Sequence, residues 1–320
     1  MTDTPNDRLV TVFGGSGFLG RYAVRALAQR GFRIRVAVRR PDLAYDLQPL
    51  GRVGQIHAVQ ANVRFPESVM LAAEGADTVV NLVGILSPSR AQTFEAVQAE
   101  GAGAIADAAK KNGAQLIHVS AIGADPKSPS AYARTKAAGE KAALAAGAIV
   151  FRPSIVFGPE DDFFNRFASL ARFLPALPLI GGGHTLFQPV FVGDVGAAIL
   201  AATEGQAQPR TIYELGGPEV KTFRELMELM LREIGRKRLL LTLPFGLASL
   251  QATFLEMLPG KLLTRDQVML LKSDNVVSAK AAREGRTLQD LGITPTSMAA
   301  VLEGYLWRFR KAGQFTRLAV

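Results

Sequence analysis

The sequence predicts an α/β chain: a doubly wound parallel sheet with a smaller, mostly helical C-terminal lobe. Three observations carry that expectation. Strand-like and helix-like stretches alternate through the first half with short links, as in a parallel sheet covered on both faces. An apolar run opens the chain and leads straight into three glycines, residues 9–20, LVTVFGGSGFLG. The chain has 320 residues, enough for one large core plus an added lobe.

The elements follow in order from local pattern. Strands are expected at 10–13, 34–38, 55–60, 78–83, 115–120 and 148–151, and helices at 20–29, 66–73, 92–111 and 130–145. After Pro159 the texture changes. Residues 163–178 are aromatic and punctuated by proline, 181–183 form a glycine loop, 187–200 return to strand-then-helix character, and 211–215 read as one more strand. Segments 8–157 and 187–216 are therefore assigned to the Rossmann-type domain, and 158–186 and 217–320 to the C-terminal lobe. Ligands of such sheets sit beyond the carboxyl ends of the strands. That places Asn62, Asn81, Gly84, Ser120 and 152–154 where a site would be.

The glycines are spaced Gly14-x-x-Gly17-x-x-Gly20. At a strand-to-helix turn, glycine lets the backbone approach a ligand with no Cβ in the way. The helix end behind it offers free N–H groups and positive partial charge to a pyrophosphate. A tight turn with no ligand is the alternative. The end of the second strand separates the two nicotinamide cofactors. An NAD site wants a carboxylate there for the ribose 2′-hydroxyl. This chain reads VAVRRP, with Arg39 and Arg40 in that place, and a guanidinium fork suits a 2′-phosphate. The reading is NADP(H). Its alternative is a solvated basic loop, because Arg21, Arg25, Arg30, Arg33 and Arg35 lie close by in the sequence.

Composition bounds the rest. Apolar residues make up 48% and charged residues 20%, which argues for a globular chain with an oily surface. With no cysteine, thiol nucleophiles, disulfides and zinc–thiolate sites are excluded. His57, His118 and His184 show no metal-ligand spacing, so no metal is expected. The net charge of +9 favours polyanions such as anionic lipid. No motif supports nucleic-acid binding. The first strand is expected within about ten residues of Met1, leaving no room for a signal peptide.

Tyr132-Ala-Arg-Thr-Lys136 puts a phenol and an ammonium four residues apart on a helix, hence on one face. In a reductase, the phenol gives a proton to the oxygen that becomes charged, and the lysine lowers its pKa and holds a ribose. Ser120, at the end of the fifth strand, would orient the substrate oxygen. Residues 239–263, LLLTLPFGLASLQATFLEMLPGKLL, hold only Glu256 and Lys261 as charges. Pro244, Gly246, Pro259 and Gly260 break the run, so a transmembrane helix is not expected. Two readings remain. It is a buried helix, or its face of Phe245, Leu247, Leu250, Phe254 and Leu258 docks on a membrane or a hydrophobic partner. Arg236, Lys237, Arg238 and Lys261 beside it suit anionic lipid.

The motifs GGSGFLGR, NLVG, HVSAIGAD, YARTKAAGE and FRPSIVFGP resemble, in order, those of the atypical short-chain dehydrogenases/reductases. FQPVFVGDVGAAI and LLTRDQVMLLKSDNVVS extend the likeness past the nucleotide domain. They point to the family of NADPH-binding accessory subunits of respiratory complex I, in its bacterial form. The resemblance implies a tightly held NADPH that is not turned over, and partner subunits near the quinone site. It also implies a peripheral place on the cytoplasmic side of the inner membrane. It further implies that Gly14, Ser16, Gly17, Phe18 and Leu19 face the pyrophosphate, with Arg39 and then Arg40 on the 2′-phosphate. Asn62 and Val63 would lie by the adenine, Val83 and Gly84 by a ribose, Tyr132 and Lys136 by the nicotinamide ribose, and Pro153 and Ser154 by the carboxamide. The link from Ser120 to Tyr132 is shorter than in the extended enzymes of the superfamily. An active NADPH-dependent reductase, epimerase or dehydratase, linked to ubiquinone metabolism, is the other expectation.

Overall fold

A computed structural model describes residues 6–256 and 263–315. The chain divides into two compact units. The first takes residues 1–153, 192–215 and 279–294, and the second takes 154–191, 216–278 and 295–320. In chain order, the first unit opens with β1 (Asn6–Phe13), α1 (Phe18–Gln29), β2 (Phe32–Val38), β3 (Ile56–Gln60), α2 (Pro66–Ala73) and β4 (Thr78–Asn81). It continues with α3 (Gly101–Lys111), β5 (Gln115–Val119), α4 (Ala131–Ala145) and β6 (Ile149–Pro153). The second unit then supplies β7 (Val156–Phe157), α5 (Phe163–Phe173), β8 (Ala176–Ile180), β9 (Leu186–Phe187) and β10 (Val190–Phe191). The chain returns to the first unit for α6 (Val192–Thr203) and β11 (Ile212–Leu215). It ends through β12 (Lys221–Thr222), α7 (Phe223–Glu233), β13 (Leu239–Leu243), α8 (Phe245–Leu255), α9 (Arg265–Leu270), α10 (Ala279–Arg283) and α11 (Ala299–Leu306).

The first unit holds a seven-stranded sheet in the order β11-β6-β5-β4-β1-β2-β3. Every pairing in it is parallel. Strand order reverses between β1 and β4, and that reversal opens the crevice in which such sheets bind ligands. Val10, Val12, Val79, Val80, Ile117 and Ile149 are fully buried, as expected of strands covered on both faces. Several boundaries shift by a residue or two, β1 starts at Asn6 rather than at 10, and two differences have a visible cause. β4 stops at Asn81 because its Oδ1 accepts the N–H of Val83 (3.0 Å) and turns the chain out of the ladder. The helix expected at 92–111 starts as a π-helical turn, Glu95–Glu100, ahead of α3. There α4 crosses so close that a Cβ on Gly139 would lie 2.3 Å from the Gln98 carbonyl oxygen.

The second unit packs around its own aromatic core of Phe157, Phe164, Phe187, Phe223, Leu226 and Met230. Among the described residues it carries three two-stranded sheets, β10-β7, β12-β9 and β13-β8, beside its helices. The unit boundary thus falls after Pro153 rather than at 157, and 187–191 belong here, because Phe187 joins that core. Residues 279–294 return to the first unit, where the Glu214 N–H donates to the Arg286 carbonyl at 3.0 Å. Tertiary hydrogen bonding of this kind leaves no mark on local sequence pattern.

The oily segment is neither one helix nor wholly buried. Its first five residues form β13, parallel to β8, and α8 follows. Phe245 does not join an outward face. It is half-buried against Ile180, Ala248, Ala252 and Val268. Leu239, Leu241, Leu247 and Leu250 are 68%, 56%, 54% and 59% exposed. The side chains of Phe254, Leu258 and Lys261 lie outside the described residues. No helix among the described residues is long and apolar enough to cross a membrane.

Candidate functional site

The glycine turn sits at the carboxyl end of β1. Gly14 takes φ +80°, a left-handed conformation that side-chain-bearing residues rarely adopt, and its N–H donates to the Ala37 carbonyl (3.1 Å). A Cβ on Gly20 would come within 2.4 Å of the Gly14 carbonyl oxygen, so the third glycine is what lets α1 pack onto the turn. Gly17 is the N-cap of α1, with no side-chain cap and no acidic residue in the first turn. The N–H groups there stay available to an anion. Ser16, Phe18 and Leu19 are half-buried around this helix end.

Arg39 and Arg40 follow β2 and are both exposed. They are not equivalent. Arg40 grips Asp42, with Nη2 2.6 Å and Nε 2.9 Å from its carboxylate oxygens, and that partner holds the Asp42 carboxyl below its ordinary range. Arg39 makes no ion pair among the described residues. Asn62 and Val63 follow β3. The Asn62 Oδ1 accepts the Arg64 N–H (3.2 Å), and Val63 is half-buried against Gly101, whose Cβ would lie 2.8 Å from it.

Beyond β4 and β5 lies a set of buried polar groups. Lys136 is buried, and its Nζ donates to the Val119 carbonyl (3.3 Å). Burial pulls the ammonium down to about 8, while the Glu140 charge works in the opposite sense. Gly84 roofs this group: a Cβ there would be 3.2 Å from Lys136 Nζ and 3.7 Å from Gln98 Oε1. Val83 is half-buried beside it. Ser120 Oγ, Gln98 Oε1 and His118 Nε2 are buried with no hydrogen-bond partner. Burying polar atoms this way is costly unless something else meets them. Tyr132 stacks edge-on against Phe94, centroids 5.8 Å apart. Ser130 caps α4, accepting the Ala133 N–H at 3.2 Å, and so fixes where Tyr132 and Lys136 emerge.

Three contributors were not read from sequence. Gln98 is held by Thr135, its Nε2 donating to Oγ1 (3.1 Å). His118 shares a hydrogen bond with Asn81 (3.0 Å), and burial followed by the Lys136 charge pushes it down to about 3, so it is neutral. Glu140 accepts a two-pronged ion pair from Arg152, 2.6 and 2.8 Å. Glu140 alone carried a signal, since it continues the four-residue spacing of Tyr132 and Lys136. Pro153 closes β6, its carbonyl accepting the Ile122 N–H (3.0 Å). In the second unit, Ser154 Oγ lies 2.7 Å from both the carbonyl and the side-chain oxygen of Asn275. Its hydroxyl is committed there. Among the described residues no cluster of histidine, aspartate or glutamate could hold a metal ion.

Residues 10–216 match the model of the NAD dependent epimerase/dehydratase family. The chain is similar to the Arabidopsis thaliana mitochondrial protein named NADH dehydrogenase [ubiquinone] 1 alpha subcomplex subunit 9. The two are 36% identical over 321 residues, spanning 95% of this chain and 79% of that protein. It is similar to the ceramide reductase of Caulobacter vibrioides, 35% identical over 195 residues and 60% of each chain. Its fold matches a dTDP-glucose 4,6-dehydratase from Streptomyces venezuelae, with TM-score 0.72 and 20% identity over 94% of this chain and 96% of that one. With a family model matched over more than half its length, and a relative at this identity spanning both units, the chain belongs to the NAD dependent epimerase/dehydratase family, on the branch that includes alpha subcomplex subunit 9 of NADH dehydrogenase [ubiquinone].

Proposed function

We propose that this chain holds NADP(H) and serves as a structural or regulatory accessory subunit of respiratory complex I, without turning its cofactor over. The observation that carries this reading is the reach of the likeness to subunit 9. It spans 95% of the chain, past residue 216 where the nucleotide-domain match ends, so what is shared includes the second unit.

The residues present fit a phosphorylated dinucleotide. Ser16, Phe18 and Leu19 would offer backbone N–H groups to the pyrophosphate. Gly14 and Gly17, whose own N–H groups are bonded within the protein, would let it come close, and Arg39, without an ion pair among the described residues, would neutralise the 2′-phosphate. Arg40 already spends its fork on Asp42 and is the lesser candidate. Asn62 and Val63 would flank the adenine, Val83 and Gly84 a ribose. Lys136 and Tyr132, with the orphaned Ser120 Oγ, supply the polar groups for the nicotinamide end. Pro153 would approach the carboxamide through its backbone, and so would Ser154. Bound there, the dinucleotide would supply hydride chemistry.

The partners in this reading are complex I subunits near the quinone site, on the cytoplasmic side of a bacterial inner membrane. The exposed leucines of β13 and α8, with Arg236, Lys237 and Arg238 beside them, would rest on anionic lipid as a peripheral contact. The test is native electrophoresis of membranes solubilised in mild detergent. Co-migration of the chain with complex I, carrying NADPH, is the expected outcome; recovery only as a free soluble protein overturns the reading.

A second reading is favoured by one observation, the buried and unpartnered Ser120 Oγ, one residue on from the Val119 carbonyl that the buried Lys136 Nζ bonds. That is the donor arrangement a carbonyl reductase needs, and the likeness to a ceramide reductase agrees with it. Ser120 would hold the carbonyl oxygen, and Tyr132 would protonate it as Lys136 stabilises the phenolate. NADPH oxidation by the purified protein that disappears in Tyr132→Phe would favour this reading. NADPH retention in that variant, with no turnover in either form, favours the accessory role.

A further inference from the structure

We propose that the outer face of α4 is a docking site for a partner subunit, which seats an apolar side chain, flanked by a carboxylate, in the cavity beside Phe94. This rests on the accessory-subunit reading and names where in the first unit a partner would hold it. The cavity measures about 700 Å³, and carbon-rich side chains line it: Pro88, Phe94, Pro126, Ala131 and Ala138. Thr135 and Phe94 in its wall back onto Gln98 and Tyr132, so the cavity opens on the outer side of the helix that carries Lys136. Ala131, Arg134, Ala138 and Lys141 recur at helical spacing along one side of α4. Lys136, Gly139 and Glu140 are buried, on its other side. Ala138 is exposed, and short side chains let a partner backbone come close.

The charges at the mouth choose the occupant. Arg134 and Lys141 line the cavity against a single carboxylate, Glu95. Arg134 is already oriented, its Nη1 donating to the carbonyls of Ser128 (2.7 Å) and Pro129 (2.8 Å). Less side-chain entropy is therefore lost when a carboxylate arrives. Lys141 makes no ion pair among the described residues. A two-fold contact with a second copy would set these cations against their own equivalents, and like charges across an interface count against that pairing. An apolar pocket ringed by such charges has the form of an interface hot spot.

Three versions of the full-length chain would be returned to native membranes: wild type, Ala138→Trp, which obstructs the mouth of the cavity, and Lys141→Glu, which reverses its charge. Wild type is expected to co-migrate with complex I. Ala138→Trp should lower the associated fraction at least tenfold and Lys141→Glu several-fold, with NADPH affinity held within twofold in both. If Ala138→Trp loses NADPH or its fold, Lys141→Glu alone decides. Variants that associate like wild type overturn the docking site and leave the accessory reading standing. Wild type that never meets complex I overturns both. A purified wild-type dimer in sedimentation that Ala138→Trp splits assigns the face to a second copy and also overturns the proposal.

Discussion

Arg39 and Arg40 are adjacent and chemically identical, yet they face different tasks. Arg40 is bound to Asp42, so recruiting it to a phosphate would first break an ion pair. Arg39 has no such competitor among the described residues. Arg39→Ala should weaken NADPH by about 1.5–3 kcal/mol, the range for hydrogen bonds to a charged group, and leave NADH almost unchanged. Calorimetry with both nucleotides checks it, and equal losses would remove the 2′-phosphate argument. Lys136 makes a pH statement. Its ammonium is pulled down to about 8 in the folded protein, against 10.5 for the ordinary side chain. Between these values the unfolded chain binds more protons, so this residue's contribution raises stability as pH climbs through the window. Below pH 8 both states are protonated and the dependence vanishes. Urea unfolding from pH 7 to 10.5 should show that rise in wild type and lack it in Lys136→Met.

At the level of single elements, α4 carries the most information. Ser130 starts it, Tyr132 and Lys136 share a face, Gly139 lets the π-turn cross, and Glu140 ties the helix to β6 through Arg152. The Glu140 side chain is only 4% exposed and Arg152 22%, so removing Glu140 leaves a largely buried guanidinium to its longer, 4.0 Å contact with Glu214. Glu140→Ala should cost about 3 kcal/mol, read as a lower denaturant midpoint. The β1–α1 turn makes a sharper case. A Cβ on Gly20 meets backbone atoms of Gly14 and Gly15 at 2.4–2.5 Å, and backbone cannot swing aside as a side chain can. A Cβ on Gly17 would meet one atom, at 3.3 Å. Gly20→Ala should therefore cost stability as well as NADPH affinity, whereas Gly17→Ala should lower NADPH affinity with the melting temperature nearly unchanged. Thermal melts set beside calorimetry separate the two.

Across the whole molecule, a strong positive charge coexists with exposed apolar surface. The excess of +9 accompanies leucines on β13 and α8 that are more than half exposed. Burying one leucine is worth about 1.5–3 kcal/mol. Leu241→Asp or Leu250→Asp should thus reduce sedimentation with phosphatidylglycerol vesicles about tenfold or more and leave NADPH binding intact. Wild-type binding should weaken with added salt, because part of it is a screened attraction of arginine and lysine for anionic lipid. Equal binding to neutral phosphatidylcholine vesicles would argue against the electrostatic part.

Much of this was legible from residues taken in order. The glycine spacing, the apolar strands, the arginines after β2 and the four-residue step from Tyr132 to Lys136 are local, and local sterics and periodicity dictate their form. The crossing of Gly139 over Gln98, the His118–Asn81 pair, the capture of Arg40 by Asp42 and the inward turn of Phe245 were not. Nor was the return of 279–294 to the first unit. Each depends on which surfaces meet after the chain has collapsed. Contacts between residues distant in sequence are selected by packing and by the need to pair buried polar groups, neither of which has a period along the chain.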